Sequence, residues 1–561
     1  MAMTFAATAV PRIEAAATLK LSLSGLDVAL LVIYFSFVIG IGVALRRLVK
    51  TSTDFFLSGR SLPAWITGIA FISANLGAIE ILGMSASGAQ YGISIVHYYW
   101  IGAVPAMVFL GIVMMPFYYG SRVRSVPEYL LRRYDRKTHL VNALIFVLAA
   151  VLIAGVNLYA LAAVLQALLG IPLAVAIVVS ALFVLSYILL GGLSSAIYNE
   201  VMQFFVICAG LIPVVIIALK ESGGIGGLFA KLSTNGHDFT SAWSGVGLGG
   251  HNPIGDWISL VFGLSFCLSF GYWTTNFAEV QRAMSAKDDN AARLTPIVGA
   301  YAKAIIPLGI VIPGLAAVLL IPGIGEGGGL PFNDAIPALM NKYLPSGVLG
   351  VALTGLLAAF MAGMAANVSS FNAVWTYDIW QNYLRPGRPD SYYLRVGRVT
   401  TVVGVFIGIL TAFIAAGYTN IANYLQTLFS FFNVPIFLAF IVGMLWRKAG
   451  RGSGFWGMIV GTLASFGTWL LYKQGVLSFR SDLAETQWGA IVGFAAGLVA
   501  MLIATRFSTP KPLAELNGLV FGLQERDVQT TGRNPWFKSP VVLGSGVLVL
   551  CALLYVYIGI V

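Results

Sequence analysis

Charge is what this sequence has least of. Asp, Glu, Lys and Arg make up 10% of its 561 residues, against about 25% in soluble globular domains. Hydrophobic residues make up 58%, and the mean hydropathy is +0.87. That composition excludes a soluble globular protein and points to a polytopic membrane protein. Cysteine is also scarce. Cys208, Cys267 and Cys551 each lie inside an apolar run with no CxxC or His-rich spacing, which argues against a disulfide framework or a metal cluster and for inert packing. No Walker-type lysine motif is present, so ATP-driven pumping has no support. No positive segment followed by a long apolar run opens the chain, so a cleaved signal peptide is not expected. The net charge of +11 is not a nucleic-acid footprint, because the basic residues fall in short tracts between apolar segments. Such spacing is a topology signal, and no nucleic-acid partner is expected.

What the sequence has is apolar length. A spanning helix needs roughly 20 apolar residues, and fourteen segments qualify: 24–48, 64–90, 95–119, 138–168, 171–191, 194–220, 254–275, 296–322, 346–378, 396–417, 420–445, 453–473, 487–506 and 540–560. Placing the N-terminus outside puts 25 Lys and Arg residues on the cytoplasmic side and 7 outside, with Lys303 in a helix, which accounts for all 33. The reverse orientation inverts that ratio, so both termini are expected outside, in a multi-pass protein of the cell (inner) membrane. The domain reading is an extracytoplasmic segment 1–23, a peripheral first helix 24–50, a transport core 62–447 (about 64–220 and 254–447), and peripheral helices 453–561 with a cytoplasmic linker 507–539.

Several of these helices are interrupted. Gly77 and Gly83 weaken the second, small residues in "AAFMAGMAANVSS" fill the ninth, and Asn433–Pro435 is expected to break the eleventh. Helix seven carries the polar aromatic tract "SFGYWTTN". Backbone freed by a break can coordinate ions or solute, and breaks in helices two and seven are spaced as a five-plus-five inverted repeat requires.

Charges at mid-bilayer cost about 2.5–3.5 kcal/mol on insertion scales. Glu80, in "FISANLGAIEILG", is too deep to snorkel and reads as pathway-facing, although freed backbone near Gly77 could also satisfy it. Lys303 reads either as a hydrogen-bond donor lining the pathway or as a snorkelling residue; mutual neutralisation of Glu80 and Lys303 is one expectation. Glu200, in "GGLSSAIYNEVMQFF", is either a solvated helix-start carboxylate or an ion or proton site. Tyr272, Trp273 and Gln426 are weak signals individually. Tyr98, Tyr99 and His97 sit where an interfacial belt is the default reading. "GVGLGG" at 245–250 matches a dinucleotide pattern but lacks the flanking strand and helix, so it reads as a loop, as does "GEGGG".

Seven tracts in order resemble the sodium/solute symporter family, most closely its sodium/glucose (galactose) cotransporter branch. They are "DFFLSGRSLPAW", "ISANLGAIEILGMSASG", "GGLSSAIYNEVMQ", "YWTTNFAEVQRAMSAKD", "AYAKAIIPLGIVIPG", "TYDIW" and "YLQTLFSFFNVPI" with "VGMLWRK". The resemblance implies a LeuT-like five-plus-five repeat with alternating access and no enzymatic activity. In sugar-carrying members the positions of Asn75, Glu80, Lys303 and Gln426 line the sugar pocket, and the tyrosine matching Tyr272 closes it from inside. Here Glu80 replaces a Gln or His, Tyr99 stands where an acid usually follows the aromatic at Tyr98, and Ser269 stands for Asn or Thr. The implied sodium site uses carbonyls at Ser73, Leu76 and Ala359 with two hydroxyls at the positions of Ala362 and Gly363, which carry none. Glu200 matches an aspartate beside that site. The implied function is symport of a monosaccharide or similar polyol, with sodium as co-substrate and no other cofactor. Its partners are a small solute, sodium or a proton, and lipid. A proton-coupled symporter, an uncoupled facilitator and a transporter-like sensor stay open as alternatives.

Overall fold

The structure, a computed structural model, describes residues 23–45, 58–234, 240–326, 329–418, 420–523 and 535–560. The expected N-terminal segment (save residue 23), the "RRLVK" tract, the start of "DFFLSGR" and part of the 507–539 linker lie outside the described residues. Among the described residues the protein is helical, with isolated bridges and no β-strand. Its helices in chain order are α1 (Gly25–Leu45), α2 (Ala64–Asn75), α3 (Ile79–Val96), α4 (Tyr98–Gly120), α5 (Val126–Arg133), α6 (Arg136–Leu169), α7 (Leu173–Ser222) and α8 (Gly224–Thr234). They continue with α9 (Ser259–Ser269), α10 (Phe270–Thr275), α11 (Phe277–Met284), α12 (Asp289–Leu320), α13 (Ala335–Tyr343) and α14 (Val348–Leu384). The chain closes with α15 (Asp390–Ala415), α16 (Ile421–Leu445), α17 (Ser453–Lys473), α18 (Asp482–Arg506) and α19 (Pro540–Ile560).

Among the described residues, 11 helices are long and apolar enough to cross a membrane, and α2 with α3, bent by 57°, makes a twelfth as a broken span. Two of the fourteen expected segments do not stand out separately. Segments 171–191 and 194–220 fall within the single helical run α7, of which Ser195–Ser222 qualifies alone and Leu173–Ser186 is apolar but short. Segment 254–275 is divided into the wide-turned α9 and the short α10.

Both informative breaks are present. α2 stops at Asn75, Leu76 leaves helical geometry with ψ 45°, and the chain restarts at Ala78. The restarting N–H of Ala78 is orphaned by the break, and Asn157 Oδ1 of α6 accepts it at 2.9 Å. Gly77 is required there, because a Cβ would strike that same oxygen. α10 ends at Asn276, whose extended backbone (ψ 108°) turns the chain into α11 and whose side chain caps it.

The third expected break is absent. α16 runs through Asn433–Pro435 without interruption. Pro435 lacks the N–H that would bond Phe431 O, and Thr462 Oγ1 of α17 fills that gap at 3.0 Å. In lipid a freed carbonyl must find such a partner, and finding one lets the helix continue.

The outermost helices are tied in by named contacts. Asp27 of α1 accepts the N–H groups of Gly347 and Gly350 at the start of α14, each at 2.8 Å. At the other end, α19 is held by Tyr301 OH of α12 donating to Leu543 O (2.9 Å) and by Tyr555 OH against His97 Nδ1 (2.6 Å). His97 is fully buried, with Nε2 on Ala242 O, so it faces the protein interior and serves as an internal tie. Arg133, placed by sequence among cytoplasmic loop charges, is likewise fully buried and donates to Gly443 O and Trp446 O at the end of α16. A cation there meets the negative end of the helix dipole.

Close helix approach depends on glycine at a few points. A Cβ on Gly314 of α12 would collide with the Ser85 backbone of α3, whereas one on Gly309 meets nothing within 4 Å. We therefore expect Gly314→Ala to lower the melting temperature of the purified protein by several degrees. Gly309→Ala on the same helix should hold or raise it, gaining up to about 1 kcal/mol of helix propensity.

Candidate functional site

The two breaks meet. Asn75, the last residue of α2, donates from Nδ2 to Tyr272 OH of α10 at 3.1 Å. Tyr272 OH in turn donates to Glu279 Oε1 of α11 at 2.9 Å. On its other side Asn75 Oδ1 accepts from Lys303 Nζ of α12 at 2.6 Å, and Lys303 pairs with Glu80 Oε2 of α3 at 2.8 Å. One polar chain therefore runs Glu80–Lys303–Asn75–Tyr272–Glu279 and joins α3, α12, α2, α10 and α11.

Lys303 is an internal residue. Because α12 begins at Asp289 rather than near 296, Lys303 lies about four turns in, on the order of 20 Å of rise. It is 3% exposed, which removes the snorkelling reading. Its ammonium sits 4.9 Å from the ring centroid of Tyr99 and 5.2 Å from that of Trp273. A desolvated cation between two aromatic faces gains on the order of 2 kcal/mol from the ring quadrupoles. The remaining Glu80 oxygen, Oε1, is buried with no hydrogen-bond partner among the described residues.

All eight residues expected to bind the solute line one cavity. Asn75, Glu80, Tyr98, Tyr99, Ser269, Tyr272, Lys303 and Gln426 share it with Ile79, Met84, Ala103, Leu268, Trp273 and Phe429. Tyr98 and Tyr99 thus face inward rather than forming an outer belt. The cavity holds about 60 Å3, far below the roughly 300–1,000 Å3 of ligand pockets. The site is contracted around its own ion pair. Trp273 and Phe429 of this wall, and Glu279, which the Tyr272 hydroxyl reaches from it, are not among the expected site residues. Trp273 is only a weak signal in the sequence, Phe429 (4.6 Å from the Tyr272 ring) resembles any apolar residue, and Glu279 falls just past the expected end of helix seven.

The expected sodium residues divide into two groups. Ser73 and Leu76 flank the break, and Ala359, Ala362 and Gly363 lie on α14, where Gly363 packs directly against Gly77. Glu200 does not join them. It sits within α7 rather than at a helix start, is 1% exposed, and gives both carboxylate oxygens to Arg282 of α11. The solvated-helix-start reading is corrected, and a carboxylate gripped on both oxygens by a guanidinium is not poised to complete a cation shell. Arg282, which sequence placed among cytoplasmic loop charges, is fully buried.

A helical fold of membrane-spanning length with a buried polar network at the junction of two broken helices is an arrangement suited to a solute transporter, and the comparisons give the family. The family model for the sodium:solute symporter family matches residues 55–461. The chain belongs to that family. It is 29% identical over 485 residues to a sodium/glucose cotransporter of Vibrio parahaemolyticus, covering 83% of this chain and 88% of that one. It is 28% identical over 471 residues to sodium/myo-inositol cotransporter 2 of Oryctolagus cuniculus, covering 78% and 69%. Among solved structures, a substrate-bound, outward-open Na+-coupled sialic acid symporter superposes with a TM-score of 0.73 at 21% identity, covering 87% of this chain and 99% of that chain. That likeness defines the fold.

Removing one partner of a buried ion pair leaves the other charge stranded, at a cost of about 3–5 kcal/mol. We expect Glu80→Ala to reduce folded yield and melting temperature sharply, measured by size-exclusion of the detergent-solubilised protein. The double variant Glu80→Ala/Lys303→Met should recover most of that yield.

Proposed function

We propose that this protein is a sodium-coupled symporter of a neutral polyhydroxylated solute, a monosaccharide or cyclitol, working by alternating access in the cell (inner) membrane. The observation that carries this reading is the convergence of Glu80, Lys303, Asn75 and Tyr272 on one cavity where both helix breaks meet. Lys303, Asn75 and Gln426 supply donors, and Glu80 supplies an acceptor. Because Glu80 and Lys303 cancel each other, the pair suits a neutral ligand. Adjacent hydroxyls of such a ligand can take the place of the direct contact, one donating to the carboxylate and one accepting from the ammonium. Hydrogen bonds to charged groups of this kind contribute about 1.5–3 kcal/mol each, which compensates for separating the pair. Tyr272, tied to Asn75 and Glu279, stands between the cavity and α11 and acts as the inner barrier. Admission of a hexose-sized solute requires the contracted site to widen, so binding and helix rearrangement are coupled.

The topology that suits this function has fourteen spans, with a five-plus-five inverted repeat flanked by one helix before and three after, and both termini outside. The paired breaks in helices two and seven and the cytoplasmic excess of Lys and Arg support it. Single cysteines placed in the 1–22 and 524–534 segments test the orientation. The first should react with an impermeant maleimide on intact cells, the second only after permeabilisation.

Sodium as co-substrate is supported by the family and by the names of the relatives. The carbonyls that the resemblance implies come from the backbone, which any residue supplies, while Ala362 and Gly363 bring no hydroxyl. The decisive experiment is uptake into proteoliposomes of radiolabelled hexoses and inositols under an inward sodium gradient, with choline as control. Concentrative uptake of at least one solute that needs sodium is expected, and Lys303→Met should abolish it. Tyr272→Phe, which removes the hydroxyl shared by Asn75 and Glu279, should keep binding but lower transport at least tenfold. Equal uptake in sodium and choline points instead to a facilitator, acceleration by a pH gradient alone to proton coupling, and binding without uptake to a sensor.

A further inference from the structure

Asn157 of α6 reaches the helix break and is not among the residues that line the solute cavity. Its Oδ1 accepts the Ala78 N–H at 2.9 Å, which fixes the oxygen, rather than the amide nitrogen, toward the break; Nδ2 is turned back to Ile153 O of its own helix at 3.2 Å. Two glycines from different helices make room for that oxygen. A Cβ on Gly77 would fall against it, and a Cβ on Gly363 would lie 2.5 Å from Oδ1 and 2.9 Å from Cγ. The carboxamide therefore occupies the space into which a side chain at residue 363 would project. A serine at 363 and an asparagine at 157 cannot both be accommodated without a shift. Asn157 is 1% exposed. One turn before the break, the hydroxyl of Ser73 is buried with no hydrogen-bond partner among the described residues.

We propose that Asn157 Oδ1 supplies the side-chain oxygen of the coupling-cation site that the hydroxyl-free pair Ala362 and Gly363 omits. A hard cation takes oxygen ligands. The amide oxygen has a second lone pair beyond the one used by Ala78, and it reaches the break from α6 instead of α14. This inference rests on the sodium-coupled reading above. It assigns a residue that lies in an unremarkable stretch of an apolar helix.

The test is a sodium titration of the melting temperature of the purified protein, with choline chloride holding ionic strength constant. A ligand that binds only the folded state raises the melting temperature by mass action. In the native chain sodium should stabilise with a saturating midpoint. Asn157→Ala should raise that midpoint at least tenfold, and Asn157→Ala/Gly363→Ser, which moves the oxygen to α14, should bring it back. Asn157→Asp keeps an acceptor for Ala78 and adds charge, so it should lower the midpoint several-fold; this variant decides the matter if the alanine variant does not fold. A native chain that responds to sodium with unchanged midpoints in the alanine and aspartate variants overturns the assignment and leaves sodium coupling intact. A native chain indifferent to sodium, in stability and in uptake, overturns both.

Discussion

A lysine ammonium held deep in an apolar helix cannot be left alone, and the centre of this protein is built around that constraint. Moving an ammonium out of water costs several kcal/mol even after relaxation. Lys303 offsets this with a carboxylate, an amide oxygen and two aromatic faces drawn from α3, α2, α4 and α10. Each partner must arrive at the correct depth. Asn75 and Glu80 can both do so because the helix stops between them, which lets the amide and the carboxylate leave the helix axis at different angles. The weak point in the helix and the polar residues beside it are thus parts of a single arrangement.

The same constraint explains why much of the site was legible in the sequence. A Glu, a Lys and an Asn inside apolar runs have few reasons to be there, so Asn75, Glu80 and Lys303 stood out without any knowledge of the fold, and their resemblance to a known motif added Gln426 and Tyr272. Residues in amphipathic or loop-like stretches gave no such contrast. Glu279 and Arg282 lie in a tract of ordinary polarity, yet both are buried, and the turn at Asn276 leads into the helix that carries them to Tyr272 and Glu200. Asn157 was silent for the opposite reason: a single amide among many apolar residues is commonplace, and its importance comes from the two glycines that face it across other helices.

The fold shows the same pattern. Spans and the break at Gly77 followed from composition, because lipid demands length and internally satisfied backbone. The expected break at Pro435 failed because its cost depends on a tertiary partner. Thr462, on the neighbouring helix, accommodates the carbonyl that proline abandons. Local sequence shows where a helix is weakened, and the neighbouring helix decides whether it gives way. The contrast between Gly77, where Asn157 stabilises an opened backbone, and Pro435, where Thr462 keeps one closed, rests on that difference.

The two outermost helices hold different parts of the machine. α1 grips the start of α14 through Asp27, and α14 carries the glycine that faces the helix break. α19 grips α12, which carries Lys303, and is tied to the entrance of α4 through His97 and Tyr555. Neither contributes a side chain to the solute cavity. They behave as external handles on two different core helices, α14 and α12, and the distance between α1 and α19 becomes a gauge of any displacement between those two.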